Sequence, residues 1–338
     1  MESKGLFDES ESLSLHLLRI CATLFIFLCH AFALAGSWIA QFFNVGVEIF
    51  FMLSGYLYAN RKINHPLQWI GKRLKKLMIP LDIFLLVVLI CHTIGGIAEP
   101  FWVWIMNLLP IKGWWGEEIS GCGHLWFIAH IFICYIFTPL FDWIRSNHPR
   151  IHNVFGLSLL ILFMLSRLLV FTPVPYSFYA IGGSLFVYCI GYYLLPLLFQ
   201  SKKSIQWILF SSLVVLSLMV RLVTHRFLDN TPWYTLSNGF THPLLGLGLI
   251  GIIYQAGKIL FMSPSRRIKH LIQGVSGRTY EFYLVHNLFL SGVYTVTLSG
   301  HVWLNVFIAF LLSCICAFVL SAIAGLLSKA VSHRKAHA

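Results

Sequence analysis

Charged residues are scarce in this sequence, and acidic residues are the scarcest of them. Asp and Glu together number 12 in 338 residues, and all charged residues make up 11% of the chain. A soluble globular domain carries about 25% charged residues to cover its water-facing surface. Because the chain is also 58% hydrophobic and its mean hydropathy is +0.79, the composition excludes a soluble domain and predicts a membrane protein.

Metal-binding and targeting motifs are also missing. The eight cysteines include no CxxC pair and lie mostly in apolar stretches, so we expect neither a disulfide framework nor a metal site. The acidic start MESKGLFDESES lacks the basic region and the small-residue cleavage site of a signal peptide, so we expect it to stay attached. The sequence contains no internal repeat and no low-complexity segment.

Long apolar runs are what the sequence does have. A helix that crosses a bilayer needs about 20 mostly apolar residues, and runs of about this length recur along the whole chain. The sequence therefore predicts an all-α polytopic integral membrane protein with about ten transmembrane helices. The candidate spans are 13–36, 42–59, 77–97, 125–141, 154–171, 178–199, 205–223, 244–260, 279–298 and 302–327.

The basic residues predict the orientation of these helices, because Lys and Arg near helix ends are retained on the cytoplasmic side. Basic clusters such as 72–76 and 266–269 follow the even-numbered spans, whereas the opposite loops hold only Lys112 and Arg226, with Arg221 close by. Both termini are therefore expected in the cytoplasm, with segment 1–12 before the membrane domain 13–328 and a basic tail 329–338 after it. Orientation and contact with membrane lipid explain the net charge of +12, so no nucleic-acid partner is expected.

Two external loops are predicted to be rich in aromatic residues. Loop 99–123 carries four tryptophans, and loop 224–243 carries Trp233, Tyr234 and His242. Such rings anchor a protein at the headgroup level of the bilayer, and they can also stack on sugars. We keep both readings open, with anchoring as the simpler one.

Two polar residues interrupt the first apolar run, LRICATLFIFLCHAF. Arg19 and His30 are eleven residues apart, so on one helix they lie within about 20° of the same face and roughly 16 Å apart along the axis. An ionisable group inside a membrane is costly and marks a functional site by default. The pair predicts a cavity with His30 deep in the membrane and Arg19 near the cytoplasmic end.

Glu48 lies near the external end of the second predicted span, at about the depth that the antiparallel first span gives His30. A carboxylate beside an imidazole fixes its tautomer and raises its basicity, as general-base catalysis requires. The alternative is a structural pair of Glu48 with a histidine or an arginine inside the helix bundle.

These residues and several longer motifs give the whole chain a resemblance to the membrane-bound acyltransferase-3 family. The first is R-x10-H at Arg19 and His30. The others, in order along the chain, are GVEIFFMLSGYL (46–57), KRLKKLMIP (72–80), HLWFIAHIFICY (124–135) and SGRTYEFYLVH (276–286).

The resemblance implies a ten-helix enzyme of the bacterial inner membrane that O-acylates surface carbohydrates. It implies that the acyl group, usually acetyl, comes from cytoplasmic acyl-CoA and is delivered to a hydroxyl of a cell-surface or lipid-linked glycan. No permanently bound cofactor and no metal are expected. Many relatives carry an added esterase-like domain that this chain lacks, so direct transfer to the glycan is expected.

The resemblance also assigns residues. His30 matches the catalytic histidine and Arg19 the essential arginine of the first helix, while Glu48 stands where the family more often has Asp. Arg73 and Lys76 match a basic pair, which together with Arg61 and Arg19 is expected to bind the phosphates of acyl-CoA. The acceptor cleft is expected to involve His286, which matches a histidine near the end of the family's pattern, and two residues of the HLWF motif, His124 and Trp126.

Several alternatives remain open at this stage. Intramembrane Arg, His and Glu residues also build transporters, so a glycan or small-molecule transporter or exporter is the second hypothesis. A catalytically silent scaffold for glycan-assembly enzymes is the third. The expected partners include glycan-assembly proteins or further copies of the chain. His30 could act as a general base or accept the acyl group itself. Three further charges are expected to be paired: Glu281 with a cation, Asp82 with the basic loop, and Arg167 with an unidentified partner.

Overall fold

A computed structural model describes residues 7–109, 119–172 and 176–336, and it contains no β-strand within those ranges. Three short 3-10 segments (Gly123–Leu125, Ser166–Phe171 and Asn287–Phe289) and one π-helical segment (Ile190–Leu194) connect or extend the α-helices. The α-helices are α1 (Glu9–Leu34), α2 (Ala40–Phe43), α3 (Val45–Ala59), α4 (Pro66–Ile94), α5 (Phe101–Leu108), α6 (Trp126–Asn147), α7 (Pro149–Leu165), α8 (Tyr176–Cys189), α9 (Leu195–Phe199), α10 (Lys203–Leu228), α11 (Pro232–Leu260), α12 (Arg266–Ser276), α13 (Thr279–His286) and α14 (Val302–Ala336).

Nine helical stretches in the described part of the chain are long and apolar enough to cross a membrane. This confirms the all-α polytopic fold, but the count is one lower than the ten helices predicted. The predicted ninth span, 279–298, is wrong as a single helix, because α13 ends at His286 and a short 3-10 turn follows. The segment is apolar enough to resemble a span. A single helix cannot extend through it, however, because Gly292 adopts a left-handed conformation (φ 81°) that an α-helix cannot contain.

Helices occupy part of both predicted aromatic loops among the described residues. In place of loop 224–243, α10 continues to Leu228 and α11 begins at Pro232, so Trp233 lies in the first turn of a helix. Loop 99–123 contains the short helix α5, and its residues Trp114 and Trp115 lie outside the described residues. Polar residues near Pro and Gly indicated loops in both places, yet Pro is also well tolerated in the first turn of a helix.

The first helix begins at a side-chain cap. The Asp8 carboxylate accepts a hydrogen bond of 2.7 Å from the backbone N–H of Glu11, and Ser10 donates a second bond of 2.8 Å. The bond from the Glu11 N–H holds the pKa of the Asp8 carboxyl below its ordinary value. From this cap α1 continues without interruption to Leu34, so Arg19 and His30 lie on one helix, as the sequence predicted.

The described residues divide into two compact units. The first comprises those within 1–26, 42–63 and 137–277, and the second those within 27–41, 64–136 and 278–338.

Glycine permits close helix contacts in the first unit. A Cβ atom at Gly55 of α3 would collide with the Tyr188 carbonyl oxygen, and one at Gly191 would collide with backbone atoms of Met52. Small residues at such crossings allow backbones to approach closely, which is a common way for helices to pack in membranes. The contact fixes α3, the helix that carries Glu48.

Two glycines in left-handed conformations meet in the second unit. Gly121 (φ 78°) and Gly292 (φ 81°) lie so close that a Cβ atom at Gly292 would collide with the Gly121 nitrogen. The Ser120 hydroxyl accepts a hydrogen bond of 3.1 Å from the Val293 N–H beside this contact. The contact joins the segment before α6, which carries His124, to the segment that follows His286, the last residue of α13.

Candidate active site

Three imidazole rings meet in the second unit. His30 lies near the end of α1, His124 in the 3-10 turn before α6, and His286 at the last residue of α13. The ring centroid of His286 is 5.2 Å from that of His30 and 5.0 Å from that of His124, and the His30 and His124 centroids are 6.4 Å apart. The structure thus brings together three predicted site residues from distant parts of the sequence.

The three histidines differ in their access to the surroundings. His124 is 5% exposed and His286 is 1% exposed, whereas His30 is only half-buried. Of the three residues, His30 is therefore the most accessible. The other two rings form the buried wall behind it.

Backbone carbonyl groups fix the tautomers of the two buried histidines. His286 Nδ1 lies 2.7 Å from the carbonyl oxygen of Tyr283, and His124 Nε2 lies 3.1 Å from that of Leu284. A carbonyl oxygen only accepts hydrogen bonds, so each of these nitrogens carries the proton, and in the neutral ring the other nitrogen keeps a lone pair. His286 Nε2 is buried without a hydrogen-bond partner among the described residues. A buried acceptor left unpaired costs about 1–3 kcal/mol, so this atom needs an explanation.

Side chains of α13 and the following turn hold this wall in place. The Tyr283 hydroxyl donates a hydrogen bond to the His124 carbonyl oxygen, and the Asn287 amide donates one of 3.2 Å to the Gly121 carbonyl oxygen. The Phe282 ring stacks on the His286 ring at an interplanar angle of 6°. The imidazole of His286 is therefore fixed from two sides.

Glu48 has charged partners within the first unit. The guanidinium groups of Arg167 and Arg221 interact electrostatically with its carboxylate. Arg221 is fully buried and Arg167 is 7% exposed. Glycine leaves room for these side chains, because a Cβ atom at Gly183 would overlap the Arg167 guanidinium and one at Gly246 would lie 3.2 Å from Glu48 Cβ. The expectation that Arg167 has a charged partner is confirmed, and the role of Glu48 toward His30 stays a prediction.

Two of the predicted donor-binding cations share a helix face in the second unit. Arg73 and Lys76 lie three residues apart on α4, a spacing that places side chains next to each other. The Arg73 guanidinium lies over the Trp69 ring, 5.3 Å from its centroid. Lys76 and Arg278 both interact electrostatically with Glu281, as expected for that carboxylate.

The other two predicted cations belong to the first unit. Arg19 lies on α1, and Arg61 follows α3, where its carbonyl oxygen accepts a hydrogen bond of 3.2 Å from Arg145 Nη2. Asp82 is exposed and forms no ion pair among the described residues, so the expected salt bridge to the basic loop is wrong. The positions three and four residues away from Asp82 on α4 are all apolar, so the helix offers it no cation at contact spacing.

Trp126 is half-buried at the start of α6, and its ring makes an edge contact with His130, with centroids 5.0 Å apart. No group of His, Cys, Asp and Glu within the described ranges has the geometry of a metal site.

Comparison with protein families gives one match. The model of the acyltransferase-3 family, described as an acyltransferase domain, matches residues 12–326, nearly the whole chain. The chain belongs to the acyltransferase-3 family. No curated protein and no solved structure matches it. The family and the nine apolar helices in the described residues together indicate a multi-pass membrane acyltransferase.

Two residues of this acyltransferase-3 chain that sequence reasoning missed are Arg221 and Tyr283. Sequence reasoning placed Arg221 near an external loop, but it lies seven residues before the end of α10 and is buried there. Tyr283 lies three residues before His286, and its hydrogen bond to the His124 backbone depends on a tertiary contact that no sequence pattern reveals.

Proposed function

We propose that this chain is an O-acyltransferase that moves an acyl group, acetyl in the first instance, from cytoplasmic acyl-CoA to a hydroxyl of a cell-surface or lipid-linked glycan. Membership of the acyltransferase-3 family supports acyl transfer. The observation that carries the choice of site is the position of His30, the half-buried imidazole in front of two buried ones. The protein would act in a bacterial inner membrane.

The proposed chemistry needs one base beside the reacting atoms. The glycan hydroxyl oxygen attacks the thioester carbonyl carbon while His30 removes the hydroxyl proton, and the C–S bond then breaks. The leaving CoA thiolate receives the proton from His30, so the histidine returns to its starting state. The alternative route, in which His30 first takes the acyl group and then passes it to the hydroxyl, uses the same ring surface.

The donor is proposed to bind through cations at the cytoplasmic side. CoA carries several phosphate groups, and charge-assisted hydrogen bonds from Arg and Lys are the usual way to hold them. Arg73 and Lys76 share one face of α4 and are the first candidates, with Arg61 and Arg19 as further ones. Glu48 is proposed as the third catalytic residue, and Trp126 as part of the acceptor cleft.

The test is acyl transfer by purified protein in detergent. The protein is incubated with radiolabelled acetyl-CoA and a glycan acceptor, and the product is analysed for covalently bound label. Label on the glycan without any vesicle supports the enzyme, because a transporter needs two compartments to show activity. Glycan movement in proteoliposomes with no acylated product would instead support the exporter hypothesis, and neither result would be expected of a scaffold.

A further inference from the structure

The unpartnered nitrogen of His286 points to a role for this residue in the reaction. Its Nδ1 is occupied by the Tyr283 carbonyl oxygen, so the free position is Nε2, a hydrogen-bond acceptor in a side chain that is 1% exposed. Folded proteins rarely leave such an acceptor unsatisfied, and exceptions occur at functional sites. The question is which neighbouring group can donate to it.

Only one of the adjacent rings can supply the proton. Of the rings around His286, those of Phe27 and Phe282 have no N–H or O–H group. The Tyr283 ring is also adjacent, but its hydroxyl already donates to the His124 carbonyl oxygen. His124 already donates from Nε2 to the Leu284 carbonyl oxygen, so its neutral ring presents a lone pair on the other nitrogen. His30, with its ring centroid 5.2 Å away, is the neighbour whose N–H is not committed to a carbonyl group.

We propose that His286 is a positioning residue for His30. A rotation of the half-buried His30 ring lets one of its nitrogens donate a hydrogen bond to His286 Nε2. A neutral imidazole carries one proton, so the other His30 nitrogen then presents its lone pair on the accessible side, where the acceptor hydroxyl approaches. His286, held by the Tyr283 carbonyl oxygen, thus selects the tautomer of His30, as a carboxylate does in other histidine sites.

This inference rests on the proposed function, because it assigns His286 to the step in which His30 acts as a base. A positioning role and a purely structural role of His286 depend on different nitrogen atoms of its ring. The hydrogen bond to the Tyr283 carbonyl oxygen within α13 depends on Nδ1 of His286, whereas positioning His30 depends on Nε2.

Two substitutions separate these atoms. Asn places a polar atom near the position of Nδ1 but has none at Nε2, and Gln places one near Nε2. We expect His286→Asn to lower kcat by about tenfold or more, with KM for acyl-CoA little changed, because tautomer selection acts on the base and not on donor binding. His286→Gln should retain most of the activity. Both proteins are compared with wild type for monodispersity and melting temperature in detergent.

The outcomes are distinguishable. A His286→Asn enzyme as active as His286→Gln, or more active, would overturn the positioning role while leaving the proposed function intact. A wild type with no transfer activity would overturn the proposed function and this inference together. If His286→Asn does not purify as folded protein, 3-(pyrrol-2-yl)alanine at position 286 keeps the Nδ1–H donor and replaces Nε2, with its lone pair, by a C–H group. Full activity of that variant would also overturn the inference.

Discussion

Glu48 interacts with two arginines in the first unit, and one of them, Arg221, is fully buried. Removing the carboxylate charge leaves two guanidinium groups without its compensation in a low-dielectric interior. We expect Glu48→Gln to reduce stability by more than about 1 kcal/mol, because the guanidinium groups lose a nearby negative charge in the protein interior. The double variant Glu48→Gln/Arg221→Gln should lose less than the sum of the two single variants, as measured by thermal unfolding in detergent.

A matched control for Glu48 is the surface pair of Glu9 with Lys269, at 2.6 Å, in the same unit. Both side chains are exposed, so Glu9→Gln should cost less than about 1 kcal/mol. Equal losses in Glu9→Gln and Glu48→Gln would contradict the ionic role of Glu48. The pH profile of transfer tests the separate prediction that Glu48 acts on His30: an unchanged midpoint in Glu48→Gln would leave Glu48 with the ionic role alone.

Arg73 is the residue whose loss should affect donor binding most. Each charge-assisted contact to phosphate contributes about 1.5–3 kcal/mol, so Arg73→Ala should weaken acyl-CoA binding by about tenfold or more. The neighbouring exposed Lys72 points about 100° away around the helix, and Lys72→Ala is the control. The test is the acyl-CoA affinity of each variant, measured on folded protein. Equal affinities for Arg73→Ala and Lys72→Ala would mean that the nucleotide binds elsewhere, for example at the basic cluster 266–269.

At the scale of elements, the contact between Gly121 and Gly292 joins the segment that carries His124 to the segment that follows His286. A Cβ atom at Gly292 would collide with the Gly121 backbone nitrogen. An L-residue there would also have to adopt φ 81°, which side chains disfavour. We expect Gly292→Ala to cost about 1–3 kcal/mol and to lower acyl transfer, because the histidine wall shifts with these segments. Thermal unfolding and initial rates are both measured.

Gly300 provides the control for this substitution. It has no atom within 4 Å of the position that a Cβ would take, and its φ is not in the left-handed region. Gly300→Ala should leave stability and rate near those of wild type. A Gly292→Ala protein that behaves like Gly300→Ala would show that the contact is not needed to hold the site.

Sequence patterns predicted individual helices well where the apolar run was long and uninterrupted. Residues 9–34 form one helix with Arg19 and His30 on it, because nothing in that run favours a turn. The same pattern failed after α13, where hydropathy indicated a span but Gly292 ends the regular backbone. Hydropathy measures how readily a segment enters a membrane, and it carries little information about φ.

At the scale of the whole molecule, the number of crossings decides which side each terminus occupies. The nine apolar helices in the described residues would by themselves place the termini on opposite sides, whereas the charge pattern predicts both in the cytoplasm. The helix count and the charge pattern agree if segment 279–301, which contains the short helix α13, is a tenth crossing.

Reporter fusions test this prediction. A cytoplasm-active fluorescent protein and a periplasm-active phosphatase are each fused after residue 265 and after residue 328. We expect fluorescence and no phosphatase activity at both sites, because each fusion point lies beside a basic cluster that is retained inside. Phosphatase activity at residue 328 alone would show that segment 279–301 does not cross.

The candidate site was predictable only in part, for reasons that differ between its residues. His30 was evident from sequence because an imidazole eleven residues from an arginine in an apolar run is costly and therefore informative. The meeting of His30 with His124 and His286 was not, since it depends on the packing of three segments far apart in the chain. Which nitrogen of His286 remains free follows only from the backbone carbonyl of Tyr283.

The most direct test of the account compares two measurements on one variant, His30→Ala, purified in detergent. Acyl-CoA binding and acyl transfer to a glycan are measured on the same sample, with its melting temperature as the control for folding. Because a general base acts at the transition state and not on donor binding, we expect transfer to be abolished and binding to stay largely intact. Near-normal transfer by folded His30→Ala protein would contradict the account and make His30 a packing residue.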